Sequence, residues 1–484
     1  MNRGEVPGYE FEVPRGSARG PRGFTNPGAD SFDGRRPAPS HLLRPAAPQP
    51  VRPRPAAPWP PSPQSGRPRP ASLASRVLGV MRARNWVLSL ALPIVAAVAV
   101  GIAVVVVAGG GGAGSSAPSA LAAGFQPATL AGGNFTGATG ATPVVLGAIA
   151  ASGATEVVAG SAAGGPALWV SVDGGSAWRR AAVGALAGTS RAGTVELTGV
   201  AHGPLGWLAV GGMVVAGSAD GRTWTKESVP GAPGAVVAAA AAGSAGYVVA
   251  GHRKDSAVAW YAPGLTGWHR AAVAQAATGQ PSVIDAVAAT ARGFAAAGSA
   301  GANPAAWVSG TGRSWRLSVL AMPGGAVRAA LTSVAASGAD VVAVGSAVSA
   351  TGQRWPFAEV SGDAGATWTP STLPVPVSGA TTATVTALTA GGGGFTATGT
   401  YPAPSGSTDV VVWTLPAAAG SGSGSWTAAT PQGTGLAGPG AQAITALTAN
   451  GAELTGVGFT TAAAGTGSSG TGQQPTLWQS PVRY

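Results

Sequence analysis

The chain has 484 residues, with no cysteine, 78 glycines, 40 prolines and a formal net charge of +11. Zero cysteine excludes disulfides, thiolate zinc sites, iron–sulfur clusters and a cysteine nucleophile. Four histidines and 17 acidic residues leave little for metal or acid–base chemistry, so neither a metal nor a cofactor is expected.

Residues 1–84 hold 14 of the 28 basic residues against 5 acids, a net of +9, and residues 85–484 keep only +2. Seventeen prolines lie in the first 70 residues, as in PAAPQPVRPRPAAPWPPSPQSGRPRP. Proline this dense cannot build helix interiors or sheet ladders, so residues 1–84 read as a disordered Pro/Arg-rich tail. The tail lacks a helical face, a zinc motif and aromatic interleaving beyond Trp59, so no nucleic-acid partner is expected. A proline-motif-binding protein or anionic lipid suits it, as does simple solvation with charge that sets topology.

Residues 85–108 follow Arg82 and Arg84 and contain WVLSLALPIVAAVAVGIAVVVVA, Trp86 to Ala108. These 23 uncharged residues are long enough, as a helix, to cross a core of ~30 Å. Trp86 suits an interface, and 85 preceding residues argue for a signal anchor over a cleaved signal peptide. The arginine excess puts the amino side in the cytoplasm of a single-pass plasma-membrane protein, with the rest outside. Residues 109–123 read as a Gly/Ser/Ala linker.

Residues 124–484 repeat. Second-strand lines such as EVVAGS, YVVAGH and FAAAGS end on Gly160, Gly211, Gly251, Gly298, Gly345, Gly399 and Gly458, spaced by 51, 40, 47, 47, 54 and 59. Each follows an apolar first strand such as VVLGAIA or SVIDAVA. A third strand is marked by Trp169, Trp260, Trp307, Trp413 and Trp478, with Ala216 and Glu359 in the other two copies. A fourth opens at Trp178, Trp224, Trp268, Trp315, Trp368 and Trp426. Four short strands per ~40–55 residues define a propeller blade, so the fold expected is all-β, a seven-bladed β-propeller. The seventh copy runs out after its third strand, while GFQPATLA (124–131) resembles the fourth strand GSWTAATP (424–431). Residues 124–131 are therefore expected to pair with 475–484 and close the ring, removing an open sheet edge. Glu359, standing where a tryptophan recurs, is expected on a blade surface.

The turn between third and fourth strands reads SVDGGSAW, SADGRTW and SGDAGATW, with a decayed SGTGRSW in the fourth copy. Its residues are Ser171, Asp173, Gly175 and Trp178; Ser218, Asp220 and Trp224; and Ser361, Asp363, Gly365 and Trp368. An aspartate there can accept turn amides and a glycine can take positive φ. The motif resembles the Asp-box of the bacterial neuraminidase (sialidase-like) repeat family. That resemblance implies a propeller in which these residues are structural and lie away from the ligand end.

The family includes sialidases, other glycoside hydrolases, sorting receptors and assembly factors, and shape does not choose among them. Sialidase chemistry needs an arginine cluster, a tyrosine nucleophile with a glutamate partner, and an acid–base aspartate. Beyond the membrane segment the tyrosines are Tyr247, Tyr261, Tyr401 and Tyr484, and Tyr247 occupies a core-like place shared with Trp207, Phe294 and Phe395. Other glycoside hydrolysis needs two facing carboxyls. Asp285 is a weak catalytic candidate, an acid inside a first strand where other copies have Gly147, Thr198, Ala238, Thr332, Thr386 and Thr445.

Loops carry function more often than strands do. The second-to-third-strand loops offer His252, Arg253, Lys254 and Asp255 in the third copy, Arg354 and Trp355 in the fifth, and Tyr401 in the sixth. They are the candidate ligand-binding residues, for a protein or a glycan. The leading expectation is a non-enzymatic surface propeller that binds an envelope protein or wall glycan. The alternative is a membrane-tethered sialidase-like glycoside hydrolase.

Overall fold

The computed structural model describes residues 102–103, 126–127, 144–186, 195–375, 382–391, 393–403, 406–416, 424–431, 435–451, 453–461 and 473–481. The tail 1–84, the linker 109–123 and most of the membrane span lie outside them. Seven antiparallel sheets form a ring. Blade 1 comprises Val144–Ser152, Thr155–Ala162, Gly165–Ser171 and Arg179–Arg180. Blade 4 comprises Ser282–Thr290, Gly293–Ala300, Asn303–Ser309 and Ser314–Val319. Blade 7 takes Gln442–Asn450, Glu453–Thr460 and Gln474–Pro481 from the end of the chain. Its fourth strand is Gln126–Pro127, with Gln126 opposite Gln479 and Pro127 opposite Trp478. The two distant segments thus share one blade, and their pairing joins the first part of the ring to the last.

The repeat glycine has a steric cause. In six blades the first strand skips one residue in its register against the second, a β-bulge, at Gly147, Ala238, Asp285, Thr332, Thr386 and Thr445. The bulge pushes a first-strand carbonyl against the second strand. A Cβ on Gly160 would overlap the carbonyl oxygen of Val145, and one on Gly298 that of Val283. Gly345 stands in the same way against Ala330, and Gly458 against Ala443.

Strands so rich in alanine bury little area each, and the tryptophans compensate. Trp169, Trp178, Trp224, Trp260, Trp307, Trp413 and Trp478 are among the largest fully buried side chains. Third-strand indoles also fasten the incoming interblade loops. Trp260 donates to the Pro230 carbonyl at 2.7 Å, Trp307 to Ala274 at 2.8 Å and Trp413 to Pro374 at 2.8 Å. Apolar clusters fill the gaps between neighbouring blades, including the gap between blade 7 and blade 1, where Ala446, Val457 and Leu477 meet Val144, Ile149 and Trp178.

One expectation is corrected. Glu359 is not on a surface: it is buried, because it takes the tryptophan's place in the ladder between Ala343 and Pro370. Of the span read as a membrane helix, the structure describes only Ile102–Ala103, and these form a two-residue strand parallel to Gly199–Val200. No helix among the described residues is long and apolar enough to cross a membrane.

Candidate functional site

The aspartate turns come first because they orient one face of the ring. In blade 1 the Ser171 hydroxyl donates to Asp173 Oδ1 at 2.7 Å and accepts from the Gly175 amide at 2.9 Å. Asp173 Oδ1 also accepts the Ala177 amide at 2.9 Å, and the Trp178 indole donates to the Gly175 carbonyl at 2.9 Å. Blade 2 repeats this with Ser218, Asp220, Gly221 and Trp224. Blade 5 repeats it with Ser361, Asp363, Gly365 and Trp368, and Thr367 adds a hydroxyl at 2.7 Å. Partial burial works to raise the Asp363 pKa, but hydrogen bonds from Thr367 and Ser361 outweigh it and hold the group at about 2. Bonds from Ser171 and the Ala177 amide likewise hold Asp173 low. These carboxylates are spent on their own turns.

At the inner edge of the ring the bulge residues form a second set. Thr198 donates to the Ala238 carbonyl at 3.0 Å, Thr386 to Ile444 at 2.6 Å and Thr445 to Leu146 at 2.8 Å, each bond reaching the next blade. Asp285 is the bulge residue of blade 4 and is 8% exposed. Burial raises its pKa to about 7. No hydrogen bond reaches its carboxyl among the described residues. The equivalent positions carry no second acid, so two facing carboxyls do not arise there. Tyr247 is also committed to structure. Its buried hydroxyl donates to the Gly206 carbonyl at 3.1 Å and accepts the Leu205 amide at 2.9 Å, tying blade 3 to blade 2.

Of the candidate ligand residues only Lys254 and Asp255 lie in a second-to-third-strand connection. His252 and Arg253 end the second strand of blade 3, Arg354 and Trp355 open the third strand of blade 5, and Tyr401 lies in the second strand of blade 6, all towards the end of the blades opposite the aspartate turns. They sit on blades 3, 5 and 6, and no hydrogen bond or ring contact joins the three groups among the described residues. Arg253, Lys254 and Asp255 are exposed and His252 is half-buried. Burial lowers the His252 pKa against the opposing charge of Asp255, and its Nδ1 is buried without a partner. Arg354 and Trp355 are half-buried. Tyr401 is 7% exposed and packs in the core between blades 5 and 6, so its ring is turned away from solvent.

Lys254 is backbone-special, with φ of 52°. The two-residue hairpins at this level use Gly212 at φ 58° in blade 2 and Gly301 at φ 63° in blade 4 in the corresponding place, while blade 1 has Ala163 there at φ 54°. The hairpin thus asks for a left-handed residue, and a lysine there costs roughly 1 kcal/mol relative to glycine.

Sequence reading missed buried Glu156 and half-buried Glu196 and put Glu359 on a surface; burial pushes all three up to about 7. Only Glu359 carried a signal, its intrusion into the tryptophan column. It also missed a cleft of about 290 Å³ between blade 4 and the aspartate turn of blade 5, with Thr290, Arg292, Ser314 and Arg316 on one side and Asp363 on the other. Its lining residues come from segments far apart in sequence, which no local motif announces.

The fold is therefore a closed seven-bladed propeller carrying Asp-box-like turns. No family model matches the chain, and no curated protein matches it. Among solved structures, the chain is similar to one titled YCF48 bound to D1 peptide, at 11% identity. That match covers 76% of this chain and 100% of the other, with a TM-score of 0.44. It is similar to a Trypanosoma rangeli sialidase in complex with the inhibitor DANA at 12% identity, covering 74% and 57% of the two chains, with a TM-score of 0.37. An α-L-arabinofuranosidase from Fusarium graminearum gives 12%, 75%, 97% and 0.35. Identities this low carry no activity across.

Proposed function

We propose that this chain is a non-enzymatic binding propeller tethered to the plasma membrane, with residues 1–84 cytoplasmic and the propeller outside, where it binds an envelope protein or a wall glycan. The anchor reading rests on the 23 uncharged residues that follow Arg82 and Arg84. The binding reading rests on one observation above others: Lys254 occupies a hairpin position whose φ favours glycine, at an exposed tip with Arg253 and Asp255. Backbone strain held at a charged loop tip is a mark of a functional position.

The test uses the full chain in its native membrane. Crosslinking should capture a discrete partner, and the capture should fall when Arg253 and Lys254 are both changed to Ser. External protease should reach the propeller or its linker and spare residues 1–84. A propeller shielded from external protease overturns the orientation, and unchanged capture by the double variant overturns the site.

A second reading, a tethered glycoside hydrolase, draws on Asp285, a buried acid whose pKa is raised to about 7, so that a large share is protonated near neutral pH, as a general acid requires. It predicts turnover of fluorogenic sialosides or arabinosides by the full chain, abolished in Asp285→Asn.

A further inference from the structure

The fourth strand of each blade can be compared by register; in blade 4 a short strand, Ala272–Val273, pairs parallel outside it. In blades 1–3 the residue opposite the tryptophan column is basic: Arg180 faces Trp169, Lys226 faces Ala216 and Arg270 faces Trp260. At the neighbouring register position stand Arg179, His269 and, in blade 4, Arg316 opposite Val308. The same two places in blades 5, 6 and 7 hold Pro370 and Thr369, Ala428 and Thr427, Pro127 and Gln126. All six basic side chains are exposed. None of their charged groups is ion-paired among the described residues. Asp173 and Asp220 keep their negative charge within their turns and Glu227 is half-buried, but none of the three is ion-paired to a basic group among the described residues. More widely, ten described Lys and Arg residues fall in blades 1–4, two in blade 5 and none in blades 6 and 7. A near-neutral formal total thus hides a ring that is basic on one side.

We infer that the outer wall of blades 1–4 is a docking surface for an anionic polysaccharide carrying carboxylates or phosphodiesters. This deepens the surface-binding reading above and rests on its placing of the propeller outside the membrane. Four of seven blades span more than half of a convex circumference. A flat lipid surface meets only one or two of them at a time, whereas a flexible polymer follows the curve. A single-stranded nucleic acid needs exposed aromatic platforms for its bases. Among the described residues the large exposed apolar side chains are Val172, Leu205, Met213, Val236, Val319, Val327 and Val375, with no aromatic among them, and Tyr261 on this wall is half-buried and already covered by His269 and Arg313. Guanidinium groups pair bidentately with carboxylate and phosphate and need no base or ring to read. The cleft between blades 4 and 5 ends the arc, with Arg292 and Arg316 on one side and the ionised Asp363 on the other.

The test is retention of the full chain, in detergent, on immobilised polygalacturonate and poly(glycerol phosphate), with dextran and single-stranded DNA as comparisons. Wild type should bind both anionic polymers in a salt-sensitive way and ignore dextran. Reversing Arg180, Lys226, Arg270 and Arg316 to Glu should weaken binding at least tenfold, and the same four changed to Gln should give a smaller loss in the same direction. Reversing Arg35, Arg36, Arg52 and Arg54 in the tail controls for charge alone and should leave binding within twofold. Unchanged binding in both wall variants, loss in the tail variant only, or equal wall-dependent binding of DNA each overturns the inference. Its failure is separable from that of the surface reading. An accessible propeller with polymer binding unaffected by the wall variants sinks only the wall, whereas a propeller shielded from external protease sinks the location.

Discussion

The hydroxyl of Thr445 donates to the carbonyl of Leu146 at 2.8 Å, joining residues 299 positions apart across the seam between the last blade and the first. The same hydroxyl lies 3.1 Å from the Val457 carbonyl inside its own blade. Asn450 adds a bond to the Gly153 carbonyl at 2.6 Å, and Gln479 one to Gly174 at 3.0 Å. Without a disulfide, the seam is held by these polar links, the cluster around Trp178 and the pairing of Gln126–Pro127 with Trp478–Gln479. Thr445→Val keeps the shape and removes the donor, leaving buried carbonyls unmet, so unfolding free energy should fall by about 1–2 kcal/mol. Thr332→Val is the control. Its hydroxyl sits 3.5 Å from Val344 within one blade, and its loss should be small. Denaturant titrations of the two variants check this, and equal losses would show that the seam bond is not special.

The glycine opposite each bulge gives a sharper steric prediction. Gly298→Ala places a methyl onto the Val283 carbonyl, and both strands are locked in a ladder that cannot shift alone. The expected cost is about 2–4 kcal/mol, read as a lowered denaturant midpoint. Gly267→Ala meets no close atom but has φ of 75°, so it should cost only the strain of a left-handed alanine, about 1 kcal/mol. A Gly298 variant as stable as the Gly267 variant would refute the bulge explanation.

The repeat was legible because its strongest signals are local. A glycine ending every second strand and a tryptophan opening the fourth strand in six copies are features that survive without knowledge of neighbours. The reason for the glycine was not legible, since it depends on a carbonyl from the paired strand. Closure by residues near 126 was legible as a missing fourth strand in the last copy. Glu359 was misplaced because polarity at a strand position suggests a surface, and Tyr401 because it reads as part of the loop that follows, whereas it lies inside the second strand; in both cases packing between blades buries the side chain. The basic outer wall went unread because its residues align only after register is known. In sequence they appear as scattered pairs such as Arg179–Arg180 and His269–Arg270.

Four acids raised by loss of solvent, the buried Glu156, Asp285 and Glu359 and the half-buried Glu196, predict an unusual pH profile. Glu156 moves from its ordinary 4.5 to about 7 because burial disfavours its charge, which the hydrogen bond from Thr455 only partly offsets. The folded state therefore holds a proton that the unfolded chain has released between pH 4.5 and about 7. Stability from this group is fully present below pH 4.5 and is lost as pH rises through about 7. The other three act in the same direction. Asp363, held at about 2, acts oppositely, and its contribution is lost as pH falls below the ordinary 3.8 toward 2. Thermal melts should peak near pH 4–5 and decline toward pH 8. Glu156→Gln should flatten that decline and raise stability at pH 8 by about 1–3 kcal/mol. A melting temperature that climbs from pH 5 to 8 would contradict the assignment.

Blade 4 allows the turn motif to be tested by repair. Its turn keeps Ser309, which accepts the Gly312 amide at 2.8 Å, and Trp315, whose indole donates to the Gly312 carbonyl at 3.0 Å. It has Thr311 where blade 2 has Asp220, the acceptor for the amides of Arg222 and Thr223 at 2.9 and 3.0 Å. The backbones correspond, with Gly221 at φ 73° and Gly312 at φ 75°. Thr311→Asp should therefore supply an acceptor to the amides of Arg313 and Ser314 in a turn already shaped for it. The expected gain is about 0.5–1.5 kcal/mol, the usual worth of such a bond. Asp220→Ala should lose about the same in blade 2. Both changes lie on the face away from Lys254, so crosslinking to the external partner should stay unchanged while the melting temperature moves. A partner lost with Asp220→Ala at full stability would instead make the aspartate turns part of the binding face.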